Sequence, residues 1–479
     1  MTDPTIAQLT KQIADTQKMV LDGQTALNIT WTLLTGFLVM FMQAGFALVE
    51  TGLTRSKNVA HTMGMNFLVY SIGVLGFWAI GFGLQMGGVG ALGTFGGDAT
   101  LNQEFVIHIA GKDFGLWGMK GFFLTPAAYT SPVAALFLFQ MVFMDTTATI
   151  PTGAMAERWR FSSFVLFSFV IATITYPLYA NWVWGGGWLS QMGRNFGLGH
   201  GHVDFAGSSV VHMVGGIAAF VGAKVLGPRL GKYGPDGNAR PIPGHNLPMV
   251  VLGTFILAFG WFGFNPGSTL AGSDTRTAVI ATNTMLASAS GAFAAYLWMR
   301  FRFGTPDVSM LCNGMLAGMV AITAPCAFVA APMAVFIGAV AGVLVVVSAM
   351  FIENTLKVDD PVGASSVHGV CGAWGVLSVG LFADGRYGEG WNGVAGPVRG
   401  LFYGDASQLV ASCIGIVACV LWVGTMTYVT LRVLDAWVGN RVSIQEEVAG
   451  LDVPEMGIEG YAADTVIGSA ATSREVVTT

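Results

Sequence analysis

Charge is what this chain has least of. Of its 479 residues, 10% are Asp, Glu, Lys or Arg, against about 25% in a soluble domain. So few charged side chains cannot cover a folded chain of this length, and a lipid bilayer must supply much of the solvent. The formal net charge of −5 is too mild to mark a nucleic-acid binder. Cysteine is scarce as well: five residues, an odd number, with no CxxC, all in or beside apolar runs. That pattern excludes a disulfide framework and a zinc spacing, and leaves small buried hydrophobes. Residues 1–28 lack the apolar stretch of a signal peptide. No Walker, dinucleotide-binding or catalytic-dyad pattern stands out, so neither a cofactor nor an enzymatic activity is expected.

What the chain does have is hydrophobic residues, 53% of the total, and 66 glycines without a collagen-like period. Small residues let membrane helices approach closely. A span needs about 20 mainly apolar residues. By that measure eleven candidates lie near 29–51, 63–88, 129–153, 161–183, 206–226, 247–266, 277–299, 308–327, 331–352, 365–383 and 405–434. The fold class expected is an all-α polytopic membrane protein. An N-terminal segment, 1–28, carries Ile6, Leu9, Ile13 and Met19 at helical spacing and reads as an amphipathic surface helix. Residues 435–479 form a polar, acidic tail, too short for an independent domain. An odd span count puts the termini on opposite sides. Most Lys and Arg, including Arg55, Arg158, Arg229 and Arg300, fall inside if the N-terminus is outside and the tail is cytoplasmic.

Two short stretches stand out against this apolar background. Ser208–Gly216 reads SSVVHMVGG, and Ser365–Gly372 reads SSVHGVCG. They fall in the fifth and tenth spans, so the chain reads as two five-span repeats, about 29–226 and 247–383, followed by a final helix at 405–434. An odd number of spans per unit forces the copies into opposite orientations, as in many transporters with midplane sites. Intramembrane ionisable residues are functional by default. Two neutral imidazoles near a pseudo-twofold axis can share one hydrogen bond and keep a nitrogen free for a small polar guest. Haem would need further membrane histidines, but His61, His108, His200, His202 and His245 all fall in expected loops. GHGHVD, Gly199–Asp204, has a metal-like look without a zinc signature; Asp204 reads as the cap of the fifth span. Asp145, inside the third span, and Glu50, in the first, read as paired structural carboxylates, with a proton or ion relay as the alternative.

Aromatics cluster near span ends: Trp182, Trp184 and Trp188 in NWVWGGGWLS, Phe139 and Phe143 in FQMVFMDTTATI, and Trp261, Phe262 and Phe264 with Ser268 in GWFGFNPGST. Most such rings are packing or interface belts. A cation over a ring gains about 0.5–2 kcal/mol, and a cup with a hydroxyl acceptor suits an ion rich in N–H donors.

Taken together, GAMAER, WGGG, DFAGSSVVH, FGFNPGS and DDPVGASSVHGVCG resemble the ammonium transporter family (Amt/Mep/Rh), over about residues 30–460. Trp184 points to the Amt branch. The resemblance implies an eleven-span inverted repeat in the cell membrane and a homotrimer with one pore per subunit. It also implies an ammonium recruitment site of Phe139, Phe143, Trp184 and Ser268, with Asp204 beneath the vestibule. Phe143 and Phe264 would gate the pore, and His212 and His368 would line it. Ammonium would lose its proton at the gate and pass as ammonia. The tail segment Gly439–Tyr461 is similar to the family's regulatory segment, implying contact with a PII-class signalling protein. The alternative is an ammonium-sensing receptor that signals through the same tail.

Overall fold

The computed structural model describes residues 5–461. Among them, ten helices are long and apolar enough to cross a membrane. They are α1 (Ile6–Leu53), α2 (Ser56–Met86), α3 (Ser131–Met155), α4 (Phe161–Trp184), α5 (Ser208–Leu226), α6 (Leu247–Thr269) and α7 (Arg276–Phe303), then, beyond a shorter α8 (Val308–Thr323), α9 (Ala331–Asn354), α10 (Ser365–Phe382) and α11 (Ala406–Trp437). Each sequence candidate thus meets a helix. The exception in length is α8, whose 16 residues reach only about 24 Å at 1.5 Å per residue. Two short helices, α12 (Ile444–Ala449) and α13 (Asp452–Met456), follow. Residues 1–4 and the tail beyond 461 lie outside the described part.

The separate surface helix expected over 1–28 is not separate. Thr5 caps it through a reciprocal box with Gln8, and the helix then runs unbroken to Leu53. No proline interrupts residues 6–53, so the ladder of i→i−4 bonds continues where the surroundings change. Span reading also missed a β-hairpin between α2 and α3: β1 (Glu104–Ile109) pairs antiparallel with β2 (Lys112–Gly118). Its two-residue turn, Ala110-Gly111, has both φ angles positive, the geometry that matches strand twist. A further correction concerns His61, which lies buried in α2 rather than in a loop.

Small residues set the helix spacing. Along the α1–α6 seam, a Cβ on Gly45 would lie 2.8 Å from Leu257 Cγ, and one on Gly253 would lie 2.7 Å from the Gly45 carbonyl. Helices α5 and α10 cross closer still: a Cβ on Gly216 would collide with the backbone of Gly369. That crossing fixes the middle of the molecule.

Helices α5 and α10 also begin alike. Each opens with a wide π-type turn, Ser208–Met213 and Ser365–Val370, and each turn contains the histidine. Asp204 Oδ1 accepts from the Gly207 and Ser208 amides at 2.8 and 2.9 Å. Asp360 accepts from Gly363 and Ser365 at 3.0 and 2.7 Å. Both Gly207 and Gly363 have positive φ, which lets the chain turn sharply into the helix. π-Type turns are rare and frequent at functional sites.

Candidate functional site

A column of rings runs from one face of the molecule toward its centre. At its top is a cavity of about 180 Å³ whose lining includes Phe139, Gln140, Phe143, Trp184 and Ser268. The expected cup residues therefore come together, although α3, α4 and α6 supply them from distant positions. Phe139 and Phe143 stand 4.6 Å apart between ring centres, and Trp184 meets Phe143 edge-on at 6.0 Å. The Trp184 indole donates to the Asp204 carbonyl at 2.7 Å, which locks the ring. Ser268 donates its hydroxyl hydrogen to the Phe264 carbonyl at 2.7 Å. Its oxygen lone pairs are left to accept from a guest.

Below the cup the column closes. Phe143 and Phe264 stack at 4.1 Å with their planes 27° apart. Phe264 then faces His212 at 5.5 Å. His212 Nδ1 lies 3.2 Å from His368 Nδ1, the rings being nearly parallel at 22°. One imidazole must donate and the other accept, so the pair shares a single proton across that contact. Trp261 lies nearly parallel to His212 at 5.2 Å and 19°, beside Phe264 at 5.7 Å, and its indole donates to Thr323. Sequence reasoning gave Trp261 no role. The signal was its spacing from Phe264, three residues on the same helix face. Phe46, missed entirely, stands 6.2 Å from His368.

Asp204 is nearly sealed, 1% exposed. Besides the two amides above, its carboxylate accepts from the Ser209 amide and hydroxyl at 2.7 Å each and from Val210 at 3.0 Å. The cap expected from sequence is present. Asp204 meets the cup through its backbone carbonyl, which accepts from the Trp184 indole. The GHGHVD imidazoles point to separate partners: His200 to the Gly396 carbonyl and His202 to Ser209, both at 2.9 Å. Burial pushes His202, outside the spans, down to about 4 against the opposing pull of Asp204.

The paired-carboxylate reading of Glu50 and Asp145 needs correcting. Glu50 is 2% exposed, and its Oε2 accepts from the Asn66 amide and the Thr152 hydroxyl, both at 2.7 Å. Both donors are neutral. Asp145 is equally buried, with Oδ1 unpartnered among the described residues. Neither finds a Lys or Arg among the described ion pairs. Glu50 instead lines a cavity of about 20 Å³ shared with Phe46, Asn313 and His368. Asn313 and Val362 also line a vestibule of about 290 Å³ with Pro241, Pro243 and Asp360.

With this geometry in view, the likenesses to known proteins have physical content. The sequence pattern of the Ammonium Transporter Family matches residues 30–461. The chain is 43% identical to ammonium transporter Amt2 of Archaeoglobus fulgidus over 438 residues, covering 91% of this chain and 88% of that one. It is 35% identical to ammonium transporter Amt1 of Haloferax mediterranei, covering 94% and 82%. Among solved structures, a Sensor Amt Protein superposes with a TM-score of 0.79 at 34% identity, covering 91% of this chain and 99% of that one. Mep2 of Candida albicans gives 0.72 at 27%, covering 89% and 88%. This chain is a multi-pass membrane protein of the ammonium transporter family.

Proposed function

We propose that the ring column is a pore that takes ammonium from the outside and passes it as ammonia. The observation carrying this reading is the unbroken sequence of rings from the cup through the stacked Phe143/Phe264 pair to the imidazoles of His212 and His368. Ammonium and potassium carry the same charge, and stripping water from either is costly, of order tens of kcal/mol without compensation. Ammonium has an exit from that cost that potassium lacks: it can lose a proton. The cup holds the cation over Phe139, Phe143 and Trp184 with Ser268 accepting an N–H. Desolvation at the gate lowers the pKa of an amine, so the species that crosses is neutral. The imidazoles then offer it hydrogen bonds without a charge.

The matched openings of α5 and α10 support an inverted repeat of five helices each, with α8 counted as a span and α11 as the eleventh. On that reading the N-terminus is outside and the tail cytoplasmic, the subunit assembles as a homotrimer, and Gly439–Tyr461 is the surface offered to a PII-class protein. Uptake of methylammonium in a transport-deficient host tests the pore. His212→Ala and His368→Ala should change the flux, its selectivity against potassium, or both; a profile matching the parent protein in every respect removes the histidines from the mechanism.

A second reading is favoured by one neighbour, the Sensor Amt Protein: the same site senses ammonium and the docked tail reports it. Flux in vesicles separates the two, since a pure receptor binds ammonium without carrying it.

A further inference from the structure

A buried carboxylate in a membrane wall is costly unless something pairs with it. Among the described residues Glu50 meets only neutral donors: the side chains of Asn66 from α2 and Thr152 from α3, and the Gly153 backbone. Its second oxygen, Oε1, takes no side-chain hydrogen bond among the described residues. Gly153 keeps the space next to that oxygen clear, since a Cβ there would lie 2.9 Å away. The cavity before it holds about 20 Å³, and about 10–15 Å³ suffices for one water. Ammonium is of that size. The other polar groups lining this cavity are Asn313 of α8 and His368 of α10. Asp360 lines the larger vestibule that Asn313 and Val362 share. The space is thus acidic, single-occupancy and placed immediately inward of the imidazole pair.

Resting on the transport reading above, we propose that Glu50 forms an inner ammonium subsite where ammonia regains a proton. Ammonia leaving His368 takes the carboxyl proton: an N–H bond forms as the Glu50 O–H bond breaks, leaving ammonium against carboxylate Oε1. Asn66 and Thr152 stabilise that charge through Oε2. Ammonium then moves into the vestibule beyond Asn313, and hydronium from the water there returns a proton to Glu50, releasing water. The outer cup strips a proton using aromatic faces, and the inner subsite restores one using a carboxylate.

The test uses the full chain in vesicles of defined lipid, with flux read after an ammonium jump. Glu50→Gln keeps the size and hydrogen bonds but neither donates a proton nor balances a cation. It should slow flux about tenfold, short of the usual hundredfold or more of general-acid catalysis because water competes, while Glu50→Asp retains most of the rate. Wild-type crystals soaked in thallous ion, an ammonium-sized cation, should show an anomalous peak beside Glu50 Oε1. A folded Glu50→Gln protein with the parent rate overturns the proposal. Should that variant fail to fold, an inner cavity without thallium overturns it instead. A wild-type chain that carries no ammonium at all sinks the transport reading, whereas the thallium peak still decides the subsite.

Discussion

Residue types were legible at the site, but their mutual geometry was not. Two histidines in apolar runs announce themselves, because almost nothing else in those runs can ionise. An aromatic near a span end announces nothing, since belts and cores use the same residues. Trp184 illustrates the gap: only the resemblance assigned it to the cup, whose cavity it lines. Its indole N–H is spent on the Asp204 carbonyl, leaving the ring as its only means of attracting a cation. A ring face contributes about 0.5–2 kcal/mol to cation binding. Trp184→Leu should therefore raise the half-saturating ammonium concentration by about two- to thirtyfold, with a smaller effect on maximal rate. Initial rates of methylammonium uptake measured across a concentration series check this; an unshifted midpoint returns Trp184 to the interface belt. Glu50 failed in the other direction. A paired carboxylate was the reasonable reading of an isolated acid, but its partners, Asn66 and Thr152, are neutral residues whose proximity no local spacing encodes.

At the scale of elements, hydropathy located the spans because the bilayer asks for one simple thing, a long apolar run. It could not locate the hairpin, whose residues 104–118 are too short and too mixed to register as a span. The strand signal was present in EFVIHI, and its Ala110-Gly111 corner requires two positive φ angles. Nor could hydropathy show that α5 and α10 touch at Gly216 and Gly369. That contact has a consequence for the histidines, which lie within four residues of it on each helix. Gly216→Ala places a methyl group against the Gly369 backbone, and backbone cannot swing aside as a side chain can. The helices must part, and the 3.2 Å contact between His212 and His368 must lengthen beyond hydrogen-bonding range. We expect a stability loss of about 1–3 kcal/mol from overpacking, together with loss of flux. Thermal unfolding in detergent and vesicle transport report the two separately; a variant that keeps both would mean that the crossing is loose.

The molecule as a whole is tied together at the face where several loops meet the tail. Glu157, fully buried, pairs with Arg55 and with Arg229, and Arg229 grips Asp359 with Nε–Oδ2 at 2.8 Å. Arg158 adds a bond to the Asp359 carbonyl at 2.7 Å. The tail closes over this ring: the Leu230 amide donates to Glu447 Oε1 and the His61 amide to Asp452 Oδ1, at 2.7 and 2.9 Å, while Lys57 Nζ donates to the Glu447 carbonyl at 2.7 Å. Asp359 immediately precedes Asp360, the cap of α10, so strain in the ring reaches the helix that carries His368. Burial alone would raise the Asp359 carboxyl, but the Arg229 hydrogen bonds and charge outweigh it and hold it well below the usual range. A carboxylate depressed in the folded state contributes stability above its unfolded pKa of about 4, and that contribution fades as pH falls through the folded value. Asp359→Asn removes one partner of a buried pair, a change that typically costs about 3–5 kcal/mol. The loss should be full at pH 7 and shrink below pH 4, where the parent protein itself gives up the pair. Melting curves of both proteins across that range decide the matter: a constant gap at every pH would mean that Asp359 holds that face by shape, and that its charge plays no part.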